Sequence, residues 1–293
     1  MTASLTVIIP SVGRPELSRA ISSVRDQTVR VEVIVVLDDP SAQNAVRSML
    51  REDERLVITP GRRGGGFARA AGTELVETIY VAYLDDDDWW EPDKAAEMVQ
   101  AMEDAHAEIG WSSVRFRANG KADRILPEQP FEPGQRMLDY LVLRPGLRHG
   151  YGYVQSSALV CRTDLAASVG WDPGLRKHQD WDFVSRVFDE AHGHVFVDRP
   201  LVNVAQDSAG SISRRRDWRD SLPFYKRHAA GMGRRARGDF VMVHLARSAF
   251  ASGEFARGVS FALRGVGSVP HVAAVISAMF GVVEWSRRRR IGR

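Results

Sequence analysis

Four consecutive aspartates, Asp85, Asp86, Asp87 and Asp88, are the residues of this chain best equipped for chemistry. Like charges held so close repel unless something positive sits among them. A divalent cation bridging a diphosphate relieves that repulsion and uses it, because magnesium and manganese take oxygen ligands and commonly share them with substrate phosphates. An acidic run is also what a solvated turn ahead of a helix looks like, since negative charge is welcome at a helix N-terminus. The surroundings favour a site. The run follows an apolar stretch at residues 79–84 and precedes Trp89, Trp90 and Pro92, and the tryptophans either stack on sugar faces or anchor the next helix. A second acidic pair, Asp38 and Asp39, closes the β-branched run at residues 31–37. About ninety residues beyond the aspartate run stands HQDWDFVSR, residues 178–186, with Asp180 and Asp182 near a predicted helix start.

The elements that must position these groups are legible as alternating signals. Apolar runs at residues 5–10, 31–37, 56–59 and 79–84 read as strands. Between them lie helix signals: Pro15 followed by Leu17, Ile21 and Val24 on one face, a segment at 42–50, and a segment carrying Ala68, Ala71 and Leu75 after three glycines at 64–66. Strands separated by helices predict an α/β fold, a Rossmann-like, mostly parallel sheet with helices on both faces. Ligands of such sheets gather beyond the carboxyl ends of the strands, where both acidic clusters fall. Further on, the pattern predicts a helix after Pro92, a strand at 111–116, a polar loop at 119–134, a strand at 155–161, and helices near 164–169 and 181–191. From about residue 222 the chain reads as predominantly helical.

Composition narrows the class. The 293 residues, 44% hydrophobic and 26% charged, are those of a folded protein with room for one large domain and an appendage. One cysteine, Cys161, excludes a disulfide framework and a thiolate metal site within one chain. The chain opens without a signal-peptide pattern, so a cytoplasmic setting is expected. The net charge of +3 hides a division: the last 80 residues carry 17 Lys or Arg against 5 Asp or Glu, a balance of +12, and the remaining 213 carry −9. The histidines at 149, 178, 192 and 194 form no metal-spaced helical pair and read as structural or surface groups.

Taken in order, the motifs resemble those of family 2 glycosyltransferases with the GT-A fold, over roughly residues 4–215. LTVIIPSVGRP (5–15) resembles the family's opening strand and nucleotide-contacting turn, which implies donor contacts for Pro10, Ser11 and Arg14. VVLDDPS (35–41) resembles its second strand, where Asp38 or Asp39 takes the place of the aspartate that meets the nucleobase or ribose. GGGFARAAG (64–72) resembles the glycine-rich loop and puts Arg69 near the donor. LDDDDWWEP (84–92) resembles the metal-binding stretch: the resemblance implies that Asp85 faces the donor, with Asp86 and Trp89 beside it, and that Asp87 ligates Mn2+ or Mg2+. HQDWDFVSR resembles the segment whose first aspartate is the catalytic base, here Asp180, with Asp182 and Arg186 supporting it. Gln179 stands where the family often has glutamate, and no histidine occurs at residues 202–213, where the family often has one; Gln206, Asp207 or Ser208 lies nearby.

The resemblance implies a single displacement at the anomeric carbon of a nucleotide-diphospho-sugar, with inversion and transfer to an acceptor hydroxyl in polysaccharide or glycoconjugate synthesis. A UDP-sugar is the default donor; the acceptor is a saccharide or lipid-linked saccharide. A sugar nucleotidyltransferase and a degenerate protein that binds sugar nucleotide without turnover are the alternatives. A nucleic-acid partner explains the basic rear but not the acidic front, and none is expected. The expected division is a transferase domain at 1–215 and a basic helical region at 216–293. Within the latter, residues 269–283 contain no charged side chain and are followed by Trp285 and four arginines. That segment is short for a membrane span. Two readings fit it: a helix lying on an anionic membrane surface at the inner face of the cell membrane, or a core helix with a basic end. The arginines at 214–216 likewise read either as charge for the donor phosphates or as a solvated or lipid-facing run.

Overall fold

The computed structural model describes residues 4–117, 122–147, 151–205 and 217–291. The histidine at 149, residues 206–208 and the arginines at 214–216 lie outside them. In chain order the elements begin with β1 (Leu5–Ser11), α1 (Leu17–Arg25), β2 (Glu32–Leu37), α2 (Gln43–Arg47), β3 (Arg55–Ile58), α3 (Gly65–Thr73) and β4 (Tyr80–Tyr83). There follow β5 (Trp89–Trp90), α4 (Lys94–Asp104), β6 (Ile109–Arg117), β7 (Arg124–Leu126), α5 (Met137–Val142), β8 (Leu159–Arg162), α6 (Thr163–Val169), α7 (Gln179–Glu190) and β9 (His194–Ala205). The chain closes with α8 (Trp218–His228), α9 (Arg234–Phe240), a π-helical stretch (Val241–Ala246), α10 (Arg247–Ala251), α11 (Phe255–Val266) and α12 (Val272–Ile291).

The strands form one sheet in the order β3-β2-β1-β4-β8-β6-β9-β5, with β7 on the side of β6. The first four strands in that order are parallel, as the alternation of strands and helices predicts. β8 runs against both its neighbours, and β9 lies parallel to β6. The parallel strands are buried almost end to end: Val7, Ile8, Ile9, Val35 and Val36 have no exposed surface. That is why they read as continuous apolar runs rather than alternating ones.

The structure corrects the reading in three places. The segment at 155–161 is not strand throughout; Ser156–Ala158 is a 3-10 turn before β8. The loop at 119–134 contains β7, which pairs with β6. β9 is an additional twelve-residue strand, concealed in the sequence by Asp198, Arg199 and Pro200, and its register against β6 shifts beside Ser113.

An aromatic group joins β4, α3 and α7. Tyr83 meets Trp171 at 4.9 Å and Phe183 at 5.7 Å, edge-on in both cases, and Trp171 stacks on Phe183 at 4.1 Å. The Tyr83 hydroxyl lies 3.1 Å from Thr73 Oγ1 on α3. Aromatic contacts of this kind contribute beyond the area they bury, and they fix the first turn of α7 beside the carboxyl end of β4. On the other side α3 packs on β1 and β2 through Gly72.

Two compact units result. The sheet unit comprises residues 1–130, 154–174 and 179–208; the helical unit comprises 131–153, 175–178 and 209–293. The helical unit therefore takes in more than the stretch after 215. The cause is α5: the Gly233 N–H donates to Asp139 at 2.7 Å and the Arg144 N–H to Asp239 at 2.7 Å, which ties the α5 segment to α9.

A Cβ on Gly72 would stand 2.6 Å from Ile8 Cγ2 and 3.0 Å from Val36 Cγ2. The Gly72→Ala variant is expected to lose about 1–2 kcal/mol of stability in urea denaturation, overpacking outweighing the gain in helix propensity.

Candidate active site

The sheet delivers three strand ends to one region. β1 ends at Ser11, β2 runs into Asp38, and β4 runs through the buried Leu84 into the aspartate turn, which closes by an Asp88 N–H bond to Asp85 O at 3.0 Å. Gly13 has φ of +84°, and a Cβ there would stand 2.4 Å from Ala42 Cβ. Only glycine makes that turn, and it returns Arg14 onto the aspartates.

Each aspartate has its own partners. Asp85 accepts from the Arg69 guanidinium and from Ser156 Oγ at 3.1 Å. Asp86 accepts from Ser11 Oγ at 2.6 Å, and Arg14 lies 3.5 Å from Asp86 and 3.6 Å from Asp87. Asp88, 1% exposed, accepts from Ser157 Oγ and Gln155 Nε2, both at 2.7 Å, and from the Ala205 N–H at 3.2 Å. Burial pushes Asp86 up to about 6, against the pull of Ser11 and Arg14. Burial, then the charges of Asp85 and Asp87, raise Asp88 well above the usual carboxylate range.

The hydroxyls of Ser156 and Ser157 are the contribution that sequence reading missed. Their turn is held from below: Trp90 Nε1 donates to Ser157 O at 3.0 Å and Lys94 Nζ to Ala158 O at 3.1 Å. Lys94 is fully buried, and burial brings its amine down to about 7. Three short polar side chains, Gln155 to Ser157, directly before an apolar run were the available signal.

Arg69 projects from α3, 8% exposed, onto Asp85 and Ser156, with its guanidinium 5.0 Å from the Trp171 ring. The start of α7 closes the other side. Gly66 sits so near that a Cβ would meet the Gln179 amide at 3.2 Å. Asp180 follows, its carboxylate accepting the Trp181 N–H at 3.0 Å. Burial raises the Asp180 carboxyl to about 6; the positive charge of Arg69 lowers it and the negative charge of Asp85 raises it. Asp182 is locked in an ion pair with Arg186, which also caps Val169 O and Gly170 O.

Other sequence candidates occupy different places. Asp38 is buried and accepts from Thr59 Oγ1 at 2.5 Å, the Arg63 N–H at 3.0 Å and the Gly64 N–H at 2.7 Å, so its carboxylate braces the loop leading into α3. Asp39 is the more exposed of the pair; the Ser41 hydroxyl and N–H donate to it and hold its carboxyl below the usual range. Trp89 lies under Arg19, whose guanidinium is 3.8 Å from the ring and also donates to Asp87 O at 2.7 Å. Pro10 precedes Ser11 at the strand end, partly exposed. His178 belongs to the helical unit, where burial pushes its imidazole down to about 3 beside Ser221. His192 pairs with Glu108 at the surface, and His194 stacks on Trp111.

Among the described residues no three His, Cys, Asp or Glu form a ready-made metal cage. The residues present still fit a hard divalent cation bound largely through a substrate's phosphates. Asp87 offers carboxylate oxygens facing only Arg14 among the hydrogen bonds and ion pairs of the described residues, and Asp85 stands beside it.

The family model for Glycosyl transferase family 2 matches residues 6–163. The amylovoran biosynthesis glycosyltransferase AmsB of Erwinia amylovora is 25% identical over 213 residues, covering 68% of this chain and 69% of that one. The succinoglycan biosynthesis protein ExoW of Rhizobium meliloti is 35% identical over 121 residues, 38% of each chain. Among solved structures, residues 1–349 of S. aureus TarS in complex with UDP-GlcNAc superpose with a TM-score of 0.61 at 13% identity, over 98% of this chain and 92% of that one. Mannosyltransferase PcManGT from Pyrobaculum calidifontis, in complex with GDP-Man and Mn2+, gives 0.55 at 15% identity over 97% and 75%. At those identities the structures establish the fold.

Ser157→Ala removes a donor to the buried Asp88 and the acceptor of the Asp85 N–H, which lies 3.0 Å from Ser157 Oγ. Thermal or chemical unfolding should show a loss of about 1–3 kcal/mol, the range for stranding a buried polar group.

Proposed function

The chain belongs to glycosyl transferase family 2, and on that premise we propose that it moves a sugar from a nucleotide-diphospho-sugar to an acceptor hydroxyl with inversion at the anomeric carbon. One observation carries the reading. The Asp180 carboxylate stands at the start of α7 within electrostatic reach of Arg69 and Asp85, with its pKa raised to about 6. That suits a general base, which works best when its pKa approaches the operating pH.

Asp180 takes the proton of the acceptor hydroxyl as its oxygen bonds to the anomeric carbon and the bond from that carbon to the diphosphate breaks. Displacement from the face opposite the leaving group inverts the centre. Arg14 and Arg69 direct positive charge toward the region where the departing diphosphate gains negative charge. Asp87, with Asp85 beside it, would hold Mn2+ or Mg2+, which supplies Lewis-acid stabilisation of the leaving group. The partly exposed Asp39 and the turn at Pro10, Ser11 and Arg14 are the groups available to the nucleoside. Asp86 holds that turn through Ser11, and Gln179 faces the acceptor side. PcManGT with GDP-Man and Mn2+, and TarS with UDP-GlcNAc, support a nucleotide-sugar donor; a UDP-sugar is the first to test. The names of AmsB and ExoW support a saccharide or lipid-linked saccharide acceptor in polysaccharide synthesis.

A release assay over UDP-, GDP- and dTDP-sugars, with and without Mn2+ or Mg2+, tests the reading. One nucleoside diphosphate should appear in a metal-dependent way, and Asp180→Asn should lower kcat by about 10²- to 10⁴-fold. Release of pyrophosphate instead, or full activity in the variant, would overturn it.

The pH profile follows from the shift. A base must be ionised to accept a proton, and the Asp180 carboxyl titrates at about 6. The rate should therefore plateau above that pH and fall as the pH drops through it.

Asp87→Ala is expected to abolish the extra thermal stabilisation that Mn2+ gives in the presence of UDP, read by a melting curve without any acceptor. An unchanged response would remove Asp87 from the metal site.

A further inference from the structure

Helix α12 turns its larger apolar side chains outward and its small ones inward. On α12 the inward positions are Ala273, Ala274, Ser277, Ala278 and Gly281, all buried. A Cβ at Gly281 would stand 2.3 Å from Arg247 O, so that side of the helix admits only small residues. The outward positions are Val272, Ile276, Met279, Phe280 and Val283, spaced as one stripe of a helix. Val272 is 74% exposed and Met279 65%. On α11, Val259, Leu263 and Val266 repeat the pattern at i, i+4 and i+7, with Leu263 70% exposed.

Both helices pack on the π-helical stretch and α10, and their ends meet. Phe255 at the start of α11 meets Trp285 near the end of α12 at 4.9 Å, and the Trp285 indole also lies against Gly253. Scattered exposed apolar residues are ordinary, but a helix that buries alanine and displays isoleucine, methionine and phenylalanine in a continuous stripe marks an interaction surface.

The charge of these helices selects the occupant. Arg287 continues the α12 stripe one turn beyond Val283, Arg288 and Arg289 flank it, and Arg264 borders Leu263; all four are exposed. The sole acid within residues 255–289 is Glu284, which is occupied by Arg247. A second copy docking isologously would set this cationic face against itself. Among the described residues no helix is long and apolar enough to cross a membrane. Large apolar side chains and a run of arginines on one helix match a lipid surface with anionic headgroups.

We propose that α12 seats the protein on an anionic phospholipid surface. The stripe of Met279 and Phe280 enters the acyl boundary, and Arg287, Arg288 and Arg289 meet the phosphates. The proposal does not rest on the transferase reading, and its test uses no sugar donor.

The full chain is sedimented with vesicles of phosphatidylcholine alone or mixed with phosphatidylglycerol. It should bind the mixed vesicles. The Met279→Glu/Phe280→Glu pair should weaken that binding by more than about tenfold. Replacing Arg287, Arg288 and Arg289 with alanine should weaken it on the order of a hundredfold. Phe280→Leu should retain it. Because these side chains are exposed, the melting temperature of each variant should stay that of the wild type, which separates lost binding from lost folding. Recovery of the wild type in the supernatant of both vesicle types would overturn the proposal. So would mixed-vesicle binding that the glutamate pair leaves intact, since adhesion would then be charge alone. A dimer in light scattering that the same pair dissociates would assign the face to a second copy instead.

Discussion

Four adjacent carboxylates in one turn repel one another, and much of the sheet unit exists to hold them there. No two of them share the same set of donors. Arg69 and Ser156 serve Asp85, Ser11 serves Asp86, Arg14 spans Asp86 and Asp87, and Ser157, Gln155 and a β9 backbone amide serve Asp88. The repulsion is divided among β1, α3, the turn before β8 and the end of β9. Losing any one of them removes part of the compensation that holds these carboxylates partly or wholly out of water.

That constraint also orders the layers beneath. The turn before β8 works only because Trp90 and the buried Lys94 hold its carbonyls, and both follow directly from the aspartate run in the chain. The helix carrying Arg69 is fixed by Gly72 on one side and by the Tyr83–Thr73 contact on the other. Asp180 comes from far along the sequence, yet the Trp171–Phe183 stack sets its helix against the same strand that bears the aspartates. The proposed base and the cluster of acids are thus carried by neighbouring parts of one core, the arrangement that a precise site needs.

How much of this the sequence shows depends on whether a feature is local. The parallel strands, the aspartate run and Asp180 at the head of a helix are local patterns, and each was readable. The roles of Ser156 and Ser157 were not, because a 3-10 turn followed by a strand has the same alternation as a longer strand. β9 escaped because Asp198, Arg199 and Pro200 break its apolar run where the register shifts. The two aspartates after β2 looked equivalent; only the fold reveals that Asp38 braces a loop while Asp39 faces outward. The tail was ambiguous for a physical reason: α12 is apolar on both faces, and its two sides differ in side-chain size rather than in polarity.

That sorting by size has a consequence for how the helix tolerates change. Its inner positions are limited by volume: where Gly281 approaches the Arg247 carbonyl, even one methyl has no room. If the outer face meets lipid as proposed, its positions are limited by hydropathy, so valine, isoleucine, leucine, methionine and phenylalanine can exchange there without disturbing the packing beneath. Related chains should therefore keep small residues on one side of α12 almost unchanged while the other side drifts freely among large apolar ones, a record of two different selective pressures written on a single helix.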